Sequence, residues 1–295
     1  MKVSVITPSF QNSEWLKLCV ESVADQGQAL QEHIVQDSCS TDGTADWLKK
    51  EPRVRAFFEK DQGMYDAVNR GFRRAQGEIL AYLNCDEQYL PGALEKVVEF
   101  FAKHPEVDVC VADTVIVDER GSYRCHKLGL IPGKLGIWVR FPVITASFFL
   151  RASSLRSSGL YFDPRWKDYG DIFFVMALLR AGLKFGVLPQ FTSVFTDTGA
   201  NMNLKPNAQK ERKEKEAMTP VPVRLVYPWL FFAYLFRQWI RGAFRKKAFS
   251  YEMFVQDQAR PPRRTVFVAS SPTAFWLGRS RWKKLPDQAL SKKPS

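Results

Sequence analysis

No two of the five cysteines, Cys19, Cys39, Cys85, Cys110 and Cys125, form a Cys-x-x-Cys pair, and the three histidines, His33, His104 and His126, are equally scattered. That spacing argues against a zinc site and a disulfide framework, so reduced thiols in a cytoplasmic protein are expected. Long apolar runs are missing too. The longest, residues 225–236, is interrupted by Pro228 and falls well short of the roughly 20 residues a membrane-spanning helix needs. The opening MKVSVITPSF has too short an apolar stretch for a secretion signal. Neither a span nor a signal is therefore expected. After the first apolar stretch comes TPSFQNSEW rather than a Gly-rich loop followed by a basic residue, which argues against a nucleotidyltransferase.

What the sequence does have is an uneven distribution of charge. Residues 1–204 carry 23 Lys and Arg against 25 Asp and Glu, whereas residues 205–295 carry 20 against 6. The front is near neutral and the tail strongly basic. Because the basic residues are interleaved with Trp, Phe and Leu, the tail suits anionic lipid headgroups, and no nucleic-acid partner is expected. A domain boundary is placed at residues 205/206, after which the composition turns to NAQKERKEKE.

Along residues 1–112, short apolar runs alternate with amphipathic stretches. Strands are expected at 3–6, 33–36, 54–59, 79–83 and 107–112, and helices over the apolar face 15–24 and at 44–50, 64–75 and 91–104. Asn12 or Ser13 could cap the first helix and Gly27 end it. This order predicts an α/β fold whose ligands gather at the carboxyl ends of parallel strands, where SFQN, DSCSTDG and NCDE fall. Residues 114–151 are irregular and should hold antiparallel strands and acceptor-binding loops; residues 170–181 read as a helix. Three carboxylates stand out: Asp37 after the second strand, Asp86 after the fourth, and Asp171 at a helix start.

SVITPSFQNSEWL, HIVQDSCSTDGT and EKDQGMYDAVNRGFRRAQGEILAYLNCDEQYLPGAL, in that order and spacing, resemble the family 2 glycosyltransferases. The likeness is strong over residues 2–100 and extends more weakly to about residue 200 through GLYFDPRWKDYGDIFFVMALLRAG. It implies a GT-A type, Rossmann-like, mostly parallel sheet flanked by helices. It also implies an inverting, metal-dependent transfer of a sugar from a nucleotide-diphosphate donor to a glycan or lipid-linked acceptor, in cell-surface polysaccharide or glycolipid synthesis. By the same resemblance, Pro8, Phe10 and Asp37 contact the donor nucleoside. Asp61, Asp66 and Asn69 lie near the donor, as does Asn84, and Asp86 binds Mg²⁺ or Mn²⁺. Asp171 is the catalytic base.

Local chemistry offers other roles for these residues. Asp37 could close its own turn. Asp42 and Gly43 read as turn and helix-cap residues. Asp171 could be a helix cap, and Asp168 is a neighbouring alternative base. Asn84 stands where many family members have Asp and Gly170 where Glu is common, so a non-catalytic module binding a nucleotide sugar or glycan is the alternative function. Thr198, Gly199 and Asn201 are assigned no role. The tail at 221–247 sets Leu225, Trp229, Phe232, Phe236 and Ile240 beside Arg224, Arg237, Arg241, Arg245, Lys246 and Lys247 at helical spacing. It reads as a helical amphipathic anchor, kinked at Pro228 and holding the chain peripherally on the inner face of the cell membrane; the alternative is a helix packed on the domain.

Overall fold

The computed structural model describes residues 1–199, 206–256 and 262–274; Asn201, Lys205 and residues 275–295 lie outside them. Four parallel strands open the chain: β1 (Val3–Ser9), β2 (Leu30–Asp37), β3 (Arg55–Phe58) and β4 (Ile79–Tyr82), in the spatial order β3-β2-β1-β4. Helices α1 (Ser13–Ala24), α2 (Thr44–Leu48) and α3 (Met64–Arg74) connect them. Each expected element of this half is present, with ends shifted by a few residues.

The caps differ from expectation. Asn12 makes no side-chain cap bond to α1. The Asp42 carboxylate instead accepts the Ser13 N–H at 2.9 Å, while the Ser13 hydroxyl accepts the Trp47 indole N–H at 2.9 Å. A carboxylate from the next loop thus replaces the local cap and pins that loop to α1. The same carboxylate takes the Thr44 N–H at 3.2 Å, which agrees with its reading as cap chemistry. Gly27 lies beyond the end of α1, in a single 3-10 turn.

After β4 come β5 (Glu87–Tyr89), α4 (Ala93–Lys103), β6 (Val109–Asp118), β7 (Tyr123–Lys127), α5 (Gly136–Val139), β8 (Phe148–Arg151), α6 (Ala152–Ser158), α7 (Gly170–Arg180) and β9 (Phe185–Asp197). The full sheet order is β3-β2-β1-β4-β8-β6-β9-β5, with β7 paired to β6. β8 enters antiparallel between β4 and β6, β5 and β7 are also antiparallel to their neighbours, and β6 with β9 is parallel. The sheet is therefore mixed, which corrects the mostly parallel expectation. A parallel neighbour needs a crossover, usually helical, but β7 follows β6 through a tight turn, and only the four-residue α5 and a 3-10 turn at Thr145–Ser147 lie between β7 and β8.

Strand alternation divides the core between two faces. Ile6, Leu80, Tyr82, Val111 and Phe148 face one cluster with α3 and α7, while Val5, Ile79, Ala81, Cys110 and Phe149 face another with α1 and α4. The two helical layers therefore bury both sides of the sheet. At Gly71 of α3 an added Cβ would lie 2.4 Å from Ile6 Cγ2, so only glycine lets the helix sit this close to β1.

The later chain forms α8 (Pro206–Ala217), α9 (Val221–Leu225), α10 (Tyr227–Ile240) and an antiparallel hairpin of β10 (Phe249–Val255) and β11 (Arg263–Ala269). This corrects the reading of one helical tail. Pro228 begins α10 rather than kinking it, as its missing N–H permits at a helix start. The hairpin, absent from the expectation, packs Tyr251 and Met253 against Val115, Val117 and Val194. Among the described residues no helix is long and apolar enough to cross a membrane.

Candidate active site

The carboxyl ends of β1, β2 and β4 present the loops that the sequence singled out. Ser9 and Asp37 are paired in register at the last position of β1 and β2. The buried Asp37 carboxylate accepts the Ser9 hydroxyl at 2.8 Å and the Ser40 N–H and hydroxyl, each at 2.7 Å. These bonds fix both loops. Pro8 is buried and its carbonyl accepts the Cys85 thiol at 3.2 Å, which ties the β1 loop to the NCDE loop. Phe10 is 58% exposed with the Lys60 ammonium 5.7 Å from its ring centre, leaving an aromatic face open beside Asp37's turn.

Asp61 and Asp66 close the start of α3. Asp61 accepts the Gly63 N–H at 2.8 Å; Asp66 accepts the Gln62 N–H at 3.0 Å and pairs with Arg70 at 2.8 Å. Asn69 is buried and spends its amide on the backbone of Phe162, donating to the carbonyl at 2.8 Å and accepting the N–H at 2.9 Å. That clamp sets Phe162 in the wall around Asp171.

In the loop from β4 to β5, the Asn84 N–H reaches Glu87 at 2.9 Å. Asn84 Oδ1 and Glu87 Oε1 are buried without a hydrogen-bond partner on either side of Asp86. Burial, reinforced by the Asp86 charge, pushes the Glu87 carboxyl up to about 8. Burial also pushes up the Cys85 thiol, and the charges of Asp86 and Asp37 add to the effect, so the two loops meet around this side chain. Among the described residues no group of three or more His, Cys, Asp or Glu could hold a metal ion. The orphaned oxygens suit a hard cation, but one that draws further ligands from a bound diphosphate and water rather than from a protein cage.

Asp171 lies in the first turn of α7 and faces a wall of Tyr82, Phe141, Val143, Phe148, Phe162 and Phe174. Burial raises its carboxyl from the ordinary 3.8 to about 6, against the opposing pull of the Ile172 N–H and Lys127. Lys127 is buried, donates to the carbonyls of Phe141 at 3.0 Å and Val143 at 2.9 Å, and is pushed down to about 7 by burial and by Arg140. It thus fixes part of the wall and places a cation near the base. A Cβ on Gly170 would stand 2.5 Å from the Tyr65 ring. Tyr65 therefore leaves no room for a side chain at Gly170. Asp168, the alternative base, accepts the Asn207 amide at 2.6 Å.

Two contributors had no usable signal in the sequence. Lys127 is an isolated cation in an irregular stretch. Glu211 hides in the charge-rich NAQKERKEKE, yet it is buried and accepts the backbone N–H groups of Lys167, Asp168 and Tyr169 at 2.8–2.9 Å. It thereby satisfies donors left over at the start of α7 and holds the loop that delivers Asp171. Its oxygens also accept the Asn207 amide at 2.9 Å.

With this geometry in hand, the chain can be compared with known proteins. The profile "Glycosyl transferase family 2" matches residues 4–158. TuaG of Bacillus subtilis, a glycosyltransferase assigned provisionally to teichuronic acid biosynthesis, is 38% identical over 103 residues, 33% of this chain and 41% of TuaG. A PGL/p-HBAD biosynthesis glycosyltransferase of Mycobacterium bovis is 31% identical over 119 residues, 38% of this chain and 46% of that protein. The chain spans less than half the length of these curated relatives. Among solved structures, S. aureus TarS 1-349 in complex with UDP-GlcNAc aligns with a TM-score of 0.58 at 20% identity, over 73% of this chain and 64% of that one. A second structure of the same fragment aligns with a TM-score of 0.55 at 16% identity, over 89% of this chain and 98% of that one. At these identities the likeness is one of fold.

Proposed function

The chain belongs to glycosyl transferase family 2, and we propose that it is an inverting GT-A enzyme that moves a sugar from a nucleotide-diphosphate donor to a glycan or lipid-linked acceptor. The observation that carries this reading is Asp171: a carboxylate with its affinity for protons raised to about 6, facing an apolar wall. A base poised near the working pH can take a proton from an acceptor hydroxyl as its oxygen attacks the anomeric carbon. One such base suffices for a single displacement with inversion, and no covalent enzyme intermediate forms.

On the donor side, Phe10 offers a face for the nucleobase, and the loop closed by Asp37 borders the ribose. Asp61, Asp66 and Asn69 shape the floor through α3. Asp86, with Asn84 beside it, would hold Mg²⁺ or Mn²⁺, whose charge stabilises the departing diphosphate. The UDP-GlcNAc bound by TarS 1-349 makes a uridine nucleotide the first donor to try. The relatives assigned to teichuronic acid and PGL/p-HBAD synthesis favour a role in cell-surface polysaccharide or glycolipid assembly. The enzyme would work at the cytoplasmic face of the membrane, with residues 1–205 catalytic and 206–295 the membrane-associated region. Glu211 makes the second region serve the first as well.

Thermal-shift measurements with UDP-, GDP- and dTDP-sugars, with and without Mn²⁺, test the reading, since a true donor stabilises the folded chain by binding it. One nucleotide sugar should raise the melting temperature in a Mn²⁺-dependent manner, and Asp86→Ala should abolish the Mn²⁺-dependent part. A full Mn²⁺-dependent shift in Asp86→Ala would overturn the metal assignment. Donor binding without transfer or hydrolysis would favour the binding-module alternative.

A further inference from the structure

Helix α10 is mounted on the domain by Leu230, which packs against the main core cluster, by the half-buried Phe231 and Leu235, and by polar side chains toward its C-terminal end. Tyr234, Gln238 and Arg241 follow one another at helical spacing on the inner face. Gln238 is buried and donates to the Leu128 carbonyl at 3.1 Å. Arg241 pairs with the fully buried Asp113 at 3.1 Å and also donates to the Gly129 carbonyl. On the outside stand Trp229, Phe232, Phe236 and Ile240, 75%, 65%, 60% and 60% exposed, continued by Leu225 of α9 at 77%. A helix facing water would carry polar side chains there. The apolar patch extends through Ile131 and Leu135, also exposed, on the segment whose Ile131 carbonyl accepts Arg237 at 2.8 Å.

The surroundings of this patch are basic. Arg245 lies 4.7 Å from the Trp239 ring centre, and Arg224 of α9, Arg237 of α10 and Lys247 just beyond them are exposed as well. A second copy of the chain seated on the patch by two-fold symmetry would bring these like charges together. An anionic bilayer would attract them, and Tyr227, Trp229 and Trp239 are of the residue types that favour the headgroup layer.

We infer that the outer face of α9 and α10, with Ile131 and Leu135, lies in the headgroup region of an anionic membrane. This names the surface and the lipid charge behind the membrane placement proposed above and rests on that reading. Leu230, Gln238 and Arg241 on the inner side hold the helix in place, so contact requires no unfolding of α10 from the domain.

The test is co-sedimentation of the full chain with phosphatidylcholine vesicles, with and without 30 mol% phosphatidylglycerol, for the parent and the double variant Trp229→Glu/Phe236→Glu. The parent should bind the anionic vesicles at least tenfold more tightly than the neutral ones and lose that preference in 0.5 M salt. The double variant should bind them at least tenfold more weakly, with an unchanged melting temperature and an unchanged nucleotide-sugar thermal shift. A parent that ignores anionic vesicles, a parent with equal affinity for both kinds, or a variant that binds like the parent would overturn the inference. So would a parent dimer by light scattering that becomes monomeric in the variant while neither binds vesicles, which would assign the patch to a second copy. The nucleotide-sugar shift, read in the same samples, reports separately on donor binding.

Discussion

The donor-side loops and the base-side loop are held by different kinds of contact. After β1, β2 and β3 the polar groups serve one another within turns or between adjoining strand ends: Asp37 is met by Ser40 of its own turn and by Ser9 of the neighbouring strand, and Asp61 and Asp66 take backbone N–H groups two and four residues away. Asp171 depends on groups far along the chain. Lys127 fixes part of its wall, Glu211 holds the loop before it, and Asn69 clamps Phe162 across 93 residues. A region built from its own turns tolerates change elsewhere, whereas one assembled from distant elements is exposed to it.

The largest expected effect is at the base itself. Asp171→Asn should cut turnover by about 10²–10⁴, the usual worth of a general base, with donor binding intact. Asp168→Asn, whose carboxylate is engaged by Asn207, should cut it far less; the opposite ranking would move the base by one helical turn. In the parent, turnover should fall below about pH 6 as Asp171 takes up its proton. The stability effect has the opposite sense. The folded chain binds this proton more tightly than the unfolded chain, so stability is lost as pH rises from about 3.8 through 6. Asp171→Asn should therefore be more stable than the parent at pH 8, by about 1–2 kcal/mol after allowing for solvent screening at a partly exposed group, and no more stable at pH 3.5. Urea melts at the two pH values check the sign.

Next is the distant support. Glu211→Ala takes the shared acceptor from three backbone N–H groups of the part-buried loop before α7, so it should cost about 1–3 kcal/mol and lower the melting temperature by roughly 3–8 °C. Turnover should fall with it, because the loop before α7 loosens, while the nucleotide-sugar thermal shift persists. Equal losses of donor binding and turnover would erase the contrast between the two sides. Glu211→Gln keeps one acceptor oxygen and should fall in between.

The smallest effect concerns Lys127. Its positive charge opposes the upward shift of Asp171, so Lys127→Met should move the acid limb of the rate profile to higher pH, by about 0.5–1 unit. Loss of the bonds to Phe141 and Val143 would lower turnover at every pH, whereas the moved limb reports on the charge alone. A fall in rate with an unmoved limb would limit Lys127 to holding the wall.

Much of this molecule could be read directly from the chain. Apolar periodicity placed the strands and helices of residues 3–112 other than the three-residue β5, because a strand buried on both faces and a helix with one apolar side each leave a local pattern. The same ordering put Asp37 and Asp86 at strand ends and Asp171 at a helix start. The tertiary structure decided what no window of sequence contains. It set β8 antiparallel inside the sheet and added the β10–β11 hairpin, because strand pairing depends on partners far away. It gave Asp42 rather than Asn12 the cap of α1, and it excluded a side chain at Gly170 because Tyr65 fills the space. It also turned Gln238 and Arg241 inward, where Leu128 offers a carbonyl and Asp113 a buried charge. Each of these outcomes depends on a contact between distant residues, whose energy is set by the folded chain and not by local propensity.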